Sequence, residues 1–183
     1  MEKPRLFVVT GRPGAGKSTF AAAFGQSCYL PVISRDTVKE GMVHTYGVRH
    51  DQLPADANLQ ATLTFFDTLD FLLDRKISVI AEAAFQHKLW SEFLPRFEEK
   101  AEIILLICRV SGEIALERFL QRGLDDPLRE YFHGDKGVHM ARQGLAVPVG
   151  SYEEPHLSYP TYYIDTADGY HPSIPQLWDE LQR

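Results

Sequence analysis

The run Gly11-Arg12-Pro13-Gly14-Ala15-Gly16-Lys17-Ser18 has the Gly-x-x-x-x-Gly-Lys-Ser spacing with which a backbone wraps around a phosphate. Glycines at both ends let the chain turn its N–H groups inward and approach an anion closely. A helix opening at Ser18 adds the positive end of its dipole, and Lys17 adds a mobile ammonium. Ser18 then offers its hydroxyl to a magnesium ion. The residues expected to hold the phosphates of ATP are therefore Gly11, Arg12, Pro13, Gly14, Ala15, Gly16, Lys17, Ser18 and Thr19.

Two carboxylates stand out beyond this loop. Asp36 follows the apolar stretch at 29–34, within Ser34-Arg35-Asp36-Thr37-Val38-Lys39. If the strands are parallel, ligands bind at their carboxyl ends, which places Asp36 opposite the terminal phosphate as a proton acceptor for an attacking hydroxyl. Asp36 also reads as a good N-cap, with Thr37 and Glu40 forming a capping box. Lys39, one turn on, is a candidate to bind the acceptor or a phosphate, or a solvated lysine. Glu82 closes the apolar run Val79-Ile80-Ala81, where an unpaired carboxylate is costly. A magnesium ion shared with Ser18 would compensate it; a salt bridge or loop-ordering hydrogen bonds would do so as well.

Phosphoryl transfer also needs positive charge on the moving group. Arg118, Arg122 and Arg129 flank the start of a charged, glycine-rich stretch at 123–150, with Arg142 further along. Arg118 and Arg122 are one turn apart and share a helix face. Arginines on a closing segment deliver charge only when both substrates are bound. The seven histidines show no metal-ligand spacing.

These residues need elements to position them. Five apolar, β-rich runs, at 5–10, 29–34, 78–83, 103–109 and 161–165, alternate with helical patterns. That alternation predicts an α/β fold, a parallel sheet covered by helices on both faces. A helix is expected at 18–26. Two more lie between the second and third strands, parted by a polar loop at 47–54. The second of them, 55–74, turns Leu59, Leu63, Phe66, Leu69 and Leu73 inward. Ser111 is the expected N-cap of a helix running to 122, with Ile114, Leu116, Phe119 and Leu120 facing the core. Residues 123–150, with a short helix near 136–145, read as a lid. A connector at 151–160 leads to the last strand, and a turn at 165–170 precedes a closing helix at 173–182.

At 183 residues the chain is one domain's worth, and 44% apolar with 24% charged residues is the balance of a globular protein. No apolar run approaches a bilayer span and no long apolar leader follows Met1, so a cytoplasmic protein without membrane partners is expected. Cys28 and Cys108 are expected to be buried thiols, in neither a disulfide nor a zinc site. A formal net charge of −6 works against nucleic acid as a partner.

Taken together, the P-loop, the Ser34-Arg35-Asp36 segment, Glu82 and the Arg118-x-x-x-Arg122 helix resemble the P-loop kinase group, which includes polynucleotide 5′-hydroxyl kinases, chloramphenicol phosphotransferase, gluconate kinase and zeta toxins. The resemblance spans nearly the whole chain. It is closest to the small AAA-type or zeta-toxin-like ATP-binding proteins with a Leu-Pro-x-Ile-Ser-x-Asp-x-x-Lys-Glu segment, as Leu30 to Glu40 read here. It implies a five-stranded sheet in the order 2-3-1-4-5, Asp36 as general base, and Lys39 at the place of a basic acceptor-binding residue. Arg118 and Arg122 then clamp phosphates and cover the adenine, while the loop from Thr166 to Tyr170 passes the base. Many relatives carry an Arg-His-Pro-Gly-His-type lid, whereas this chain reads Arg129-Glu130-Tyr131-Phe132-His133-Gly134.

The expectation is a kinase that uses ATP and magnesium to phosphorylate a hydroxyl of a small molecule. A polynucleotide 5′-hydroxyl kinase and a nucleotide-operated regulatory ATPase stand as alternatives. A GTPase is disfavoured because the chain has no Asn-Lys-x-Asp motif, and a ring ATPase because it is too short for the extra helical domain.

Overall fold

The computed structural model describes residues 3–182. Five strands alternate with eight helices among the described residues: β1 (Arg5–Thr10), α1 (Lys17–Cys28), β2 (Val32–Ser34), α2 (Arg35–Tyr46), α3 (Ala57–Asp74), β3 (Val79–Glu82), α4 (His87–Phe93), β4 (Glu102–Arg109), α5 (Gly112–Asp125), α6 (Arg129–Phe132), α7 (Lys136–Arg142), β5 (Thr161–Asp165) and α8 (Ile174–Leu181). The strands form one parallel sheet in the order β2-β3-β1-β4-β5, as the resemblance implied. Val9 and Ser34 both lie beside Glu82 in the ladders, so the carboxyl ends of β1, β2 and β3 finish at one level.

Alternation along the strands supplies a core on each face. Leu6, Val8, Val79, Ala81, Ile103 and Leu105 pack with Phe65, Phe66, Leu69 and Leu73 of α3 and with Trp90 of α4. Phe7, Val9, Ile80, Ile104 and Leu106 turn the other way, onto Phe20 and Phe24 of α1 and Leu177 and Leu181 of α8. Face-to-face stacking of Phe66 on Phe93, centroids 4.2 Å apart, adds aromatic contact to the first layer.

Several boundaries differ from the sequence expectation. The second strand begins at Val32 rather than at residue 29, because α1 runs on to Cys28 and ends with Tyr29 in the left-handed region at φ 56°, exposed. Leu59 on α3 is 57% exposed, and Leu63 only half-buried; Phe65 and Ala61 take the inward positions with Phe66, Leu69 and Leu73. On α5, Ile114, Leu116, Phe119 and Leu120 are half-buried, whereas Ala115 and Gly123 are buried. Ser111 does cap this helix, its hydroxyl accepting from the Ile114 amide at 3.2 Å. Of the two cysteines, Cys108 is buried but Cys28 only half so.

The segment after α5 packs back on it through Gly123. A Cβ there would collide with Val138 of α7, so only glycine lets the two helices approach this closely. Arg142 ties α7 to the Gly123 carbonyl at 3.0 Å and to Glu130 of α6. Contacts with α2 come from His133, whose Nε2 is 2.8 Å from Glu40 Oε1, and from Phe132 against His44.

Candidate functional site

The turn from β1 into α1 places the glycine-rich loop at the carboxyl edge of the sheet. Gly14, at φ 84°, lies so close to the Ala115 carbonyl of α5 that a side chain has no room. Lys17 is 7% exposed, and its Nζ donates to the Arg12 carbonyl at 3.2 Å. Burial holds its pKa below the ordinary lysine value, and the Glu82 carboxylate opposes that shift. Thr166 braces the loop from behind, its hydroxyl donating to Ala15 O at 2.9 Å and within 3.1 Å of Arg109 O.

Beside Lys17 lies a cavity of about 600 Å³. Its floor is Pro13, Gly14, Gly16, Lys17, Ser18 and Thr19. One wall is the start of α2, with Ser34, Arg35, Asp36 and Lys39, and Glu82 comes from β3. The opposite wall is Arg122 of α5 with Arg129, His133 and Asp135. Gly11, Arg12 and Ala15 lie outside this lining; Arg12 faces an adjoining pocket between α5 and residues 147–152.

Glu82 is 4% exposed, and both its oxygens are engaged: Ser18 Oγ donates at 3.3 Å and Ser34 Oγ at 2.6 Å. Loop-ordering hydrogen bonds are thus present. The same geometry sets a hydroxyl and a carboxylate side by side next to the P-loop, hard oxygen donors of the type that suit magnesium. Ser18 and Glu82 would hold the ion, which when bound neutralises phosphate charge and orients the nucleotide.

Asp36 is the second residue of α2, and Ser34 is the N-cap. The cap and capping-box readings of Asp36, Thr37 and Glu40 are therefore corrected: Thr37 Oγ1 donates to the Ser34 carbonyl at 2.8 Å, and Glu40 is bound to His133. The Asp36 side chain is 59% exposed toward the cavity mouth, with Arg35 Nη1 3.7 Å away.

The three arginines separate. Arg122 lines the cavity, and its guanidinium makes no hydrogen bond or ion pair among the described residues; burial, then the charge of Arg129, keeps its pKa below the usual arginine range. Arg129 lines it too, paired with Asp135 at 2.9 Å. Arg118 does not. Its guanidinium donates to the carbonyls of Thr166 at 2.9 Å and Ala167 at 2.7 Å, latching α5 to the loop after β5. Arg118 and Arg122 both line a groove along α5, and of the two only Arg122 also reaches the cavity of Lys17 and Asp36. Thr166, its hydroxyl already engaged, lies outside the cavity as well.

Sequence reasoning passed over Ser34, Arg35, His133 and Asp135. Ser34 and Arg35 had a signal, since they are polar residues ending an apolar strand next to Asp36. His133 and Asp135 had none, because their place depends on how α6 and α7 fold back.

A parallel β2-β3-β1-β4-β5 sheet with a phosphate-binding loop after β1 defines a P-loop protein of kinase-like fold. The chain belongs to the family described as the AAA domain, whose model matches residues 6–143. Among solved structures, a candidate kinase from Chloroflexus aurantiacus superposes with a TM-score of 0.76 at 23% identity, over 100% of this chain and 98% of that one. The Mycobacterium tuberculosis APS kinase CysC, solved with AMPPNP and APS, gives 0.64 at 13% identity, with 100% of both chains covered. A gluconokinase from Sinorhizobium meliloti gives 0.54 at 17% identity, over 100% of this chain and 98% of that one. Among curated proteins, none matches the chain. No helix among the described residues is long and apolar enough to cross a membrane.

Proposed function

We propose that this protein is a phosphotransferase that moves the γ-phosphoryl group of ATP to a hydroxyl of a small molecule, with magnesium held by Ser18 and Glu82. The observation that carries it is the convergence of Lys17, Ser18, Asp36 and Glu82 on one cavity with Arg122 and Arg129 across from them. The P-loop amides and Lys17 hold the β- and γ-phosphates. Asp36 takes the proton of the acceptor hydroxyl as its oxygen bonds to the γ-phosphorus and the bond to the β–γ bridging oxygen breaks, releasing ADP. Arg122 stabilises the charge on the moving group, and Arg129 does so once its pairing with Asp135 gives way. Arg118 positions the loop from Thr166 at the base side of the nucleotide. The kinases of similar fold include proteins named for gluconate and for APS, so small hydroxyl compounds suit this fold.

We take residues 1–183 as a single cytoplasmic catalytic unit in which residues 123–150 act as the lid. The test is ATP consumption over a panel of alcohols, sugars, nucleosides, antibiotics and RNA ends. Turnover that appears with one class of small alcohol and vanishes in Lys17→Ala supports the proposal. Hydrolysis indifferent to every acceptor points to a regulatory ATPase, and turnover with RNA ends alone to a polynucleotide kinase.

A further inference from the structure

Leu116 and Phe119 read in the sequence as core residues of α5, yet both stay half-buried. With Gly112 and Ala115 they stand at steps of three and four, one stripe along the helix. The stripe borders a pocket of about 370 Å³, walled on its other side by Val147, Pro148 and Val149. A Cβ on Gly112 would meet Arg12 Nη1 and Val149 Cγ1, each at 2.7 Å, so the helix sends no side chain into the space there. Tyr152 lines the pocket too. Its hydroxyl donates to the Phe85 carbonyl at 3.3 Å and lies 3.3 Å from Thr10 Oγ1, so it needs no polar partner from a ligand. The other polar residues of the lining are Arg12, Asp135, Lys136 and Ser151.

Four residues, Pro13, Phe119, Gly134 and Asp135, line both this pocket and the cavity of Lys17. A molecule with a hydroxyl in the cavity can therefore carry the rest of its body into the pocket. The nucleotide base does not compete for that place. Arg118, which the phosphotransferase reading puts at the base side, lines a groove with Ile114, Glu117 and Gln121, none of which borders the pocket. An apolar cavity of about 150 Å³ takes up a benzene ring, so the pocket has room for a ring or a branched chain. Covering Leu116, Phe119, Val147 and Val149 removes apolar surface from water and stabilises whatever does the covering.

We propose that this pocket receives the body of the acceptor, which is therefore an alcohol carrying an aromatic ring or a branched aliphatic chain within a few bonds of the hydroxyl that reacts. The inference rests on the phosphotransferase reading. Glycerol and other small polyols leave the pocket unfilled and gain nothing from it.

The probe is para-fluorobenzyl alcohol, followed by fluorine NMR in protein already saturated with magnesium and AMPPNP. Binding of AMPPNP is measured first. If it is absent the phosphotransferase reading fails, and if it is present the alcohol tests the pocket alone. The probe should occupy one site per chain, and benzyl alcohol should displace it where glycerol at about tenfold higher concentration does not. Leu116→Asn puts an amide into the apolar wall, and Val149→Trp fills the space from an exposed position. Each should weaken the probe at least about tenfold, whereas Leu116→Met, close to it in volume, should keep most of the affinity. Val149 belongs to neither core, so its variant remains decisive even where Leu116→Asn lowers the melting temperature. The inference is overturned if analogue-saturated protein does not bind the probe, if Val149→Trp binds it as the parent does, or if glycerol displaces it as well as benzyl alcohol does.

Discussion

In the proposed reaction Asp36 carries the chemical step, and its place in the second position of α2 sharpens what a substitution does. Asn cannot take a proton at neutral pH, so Asp36→Asn should slow phosphoryl transfer by about 10²–10⁴. Since Ser34 rather than Asp36 caps the helix, the only structural loss is a charge near a helix start, at most about 1 kcal/mol. ATP affinity and melting temperature should therefore stay near parental, and near-parental transfer would remove the base assignment. The two arginines of α5 are expected to part company in the same assay. Arg122, whose guanidinium has no partner among the described residues, should cost about 10³-fold or more in transfer as Arg122→Ala, with little change in melting temperature. Arg118→Ala releases the Thr166 and Ala167 carbonyls, so it should lower nucleotide affinity and melting temperature more than the transfer rate at saturating ATP. Equal effects of the two on transfer would contradict this division.

At the scale of elements, α5 and α6 bring Arg122 and Arg129 to the cavity, and Gly123 is where α7 packs on α5. Gly123→Val forces α7 away from α5, and should reduce transfer at least about tenfold while the sheet core melts within a few degrees of the parent, because the contact lies outside both cores. A variant of parental activity would mean that the packing of α7 is irrelevant to catalysis. The parallel sheet and the P-loop were legible in the sequence because each follows from local spacing plus one topological rule, whereas the strand order came from the family resemblance; that Glu82 needs a partner near the P-loop was also legible, and Ser18 supplies a hydrogen bond to it. The tilt of α3 was not: Leu59 and Phe65 compete for the inward face, and only the position of α4 with Trp90 decides it. The identity of the α2 cap was missed for a related reason. Ser34 both ends a strand and starts a helix with no residue between, leaving Asp36 already inside the first turn. Likewise the separation of Arg118 from Arg122 depends on where the loop after β5 runs, which no feature of the α5 sequence encodes.

For the whole molecule, the two cores set an alkaline limit on stability. Burial pushes the Cys108 thiol up to about 12, and burial together with the 2.6 Å hydrogen bond to Glu98 raises Tyr159. Cys28 and Tyr170 are raised by burial too. Each of these groups holds its proton more tightly folded than unfolded, so its contribution is complete below the unfolded value, near 9 for cysteine and 10 for tyrosine, and is lost as pH rises through the folded one. Melting temperature should therefore fall from about pH 9 upward. It should fall less steeply in Cys108→Ala, whose stability at neutral pH is lower because a core side chain is truncated. Parallel declines would show that Cys108 does not titrate on unfolding. The same two layers hold Lys17, Asp36 and Glu82 at one sheet edge, and the central claim about that edge is phosphoryl transfer. It is tested most directly by incubating the protein with magnesium and ATP labelled at the γ-phosphate, together with the small-alcohol panel. The account predicts label on an organic acceptor with one ADP formed per transfer, absent in Lys17→Ala. Label appearing only as inorganic phosphate, at a rate no acceptor changes, or transfer undiminished in Lys17→Ala, would contradict it.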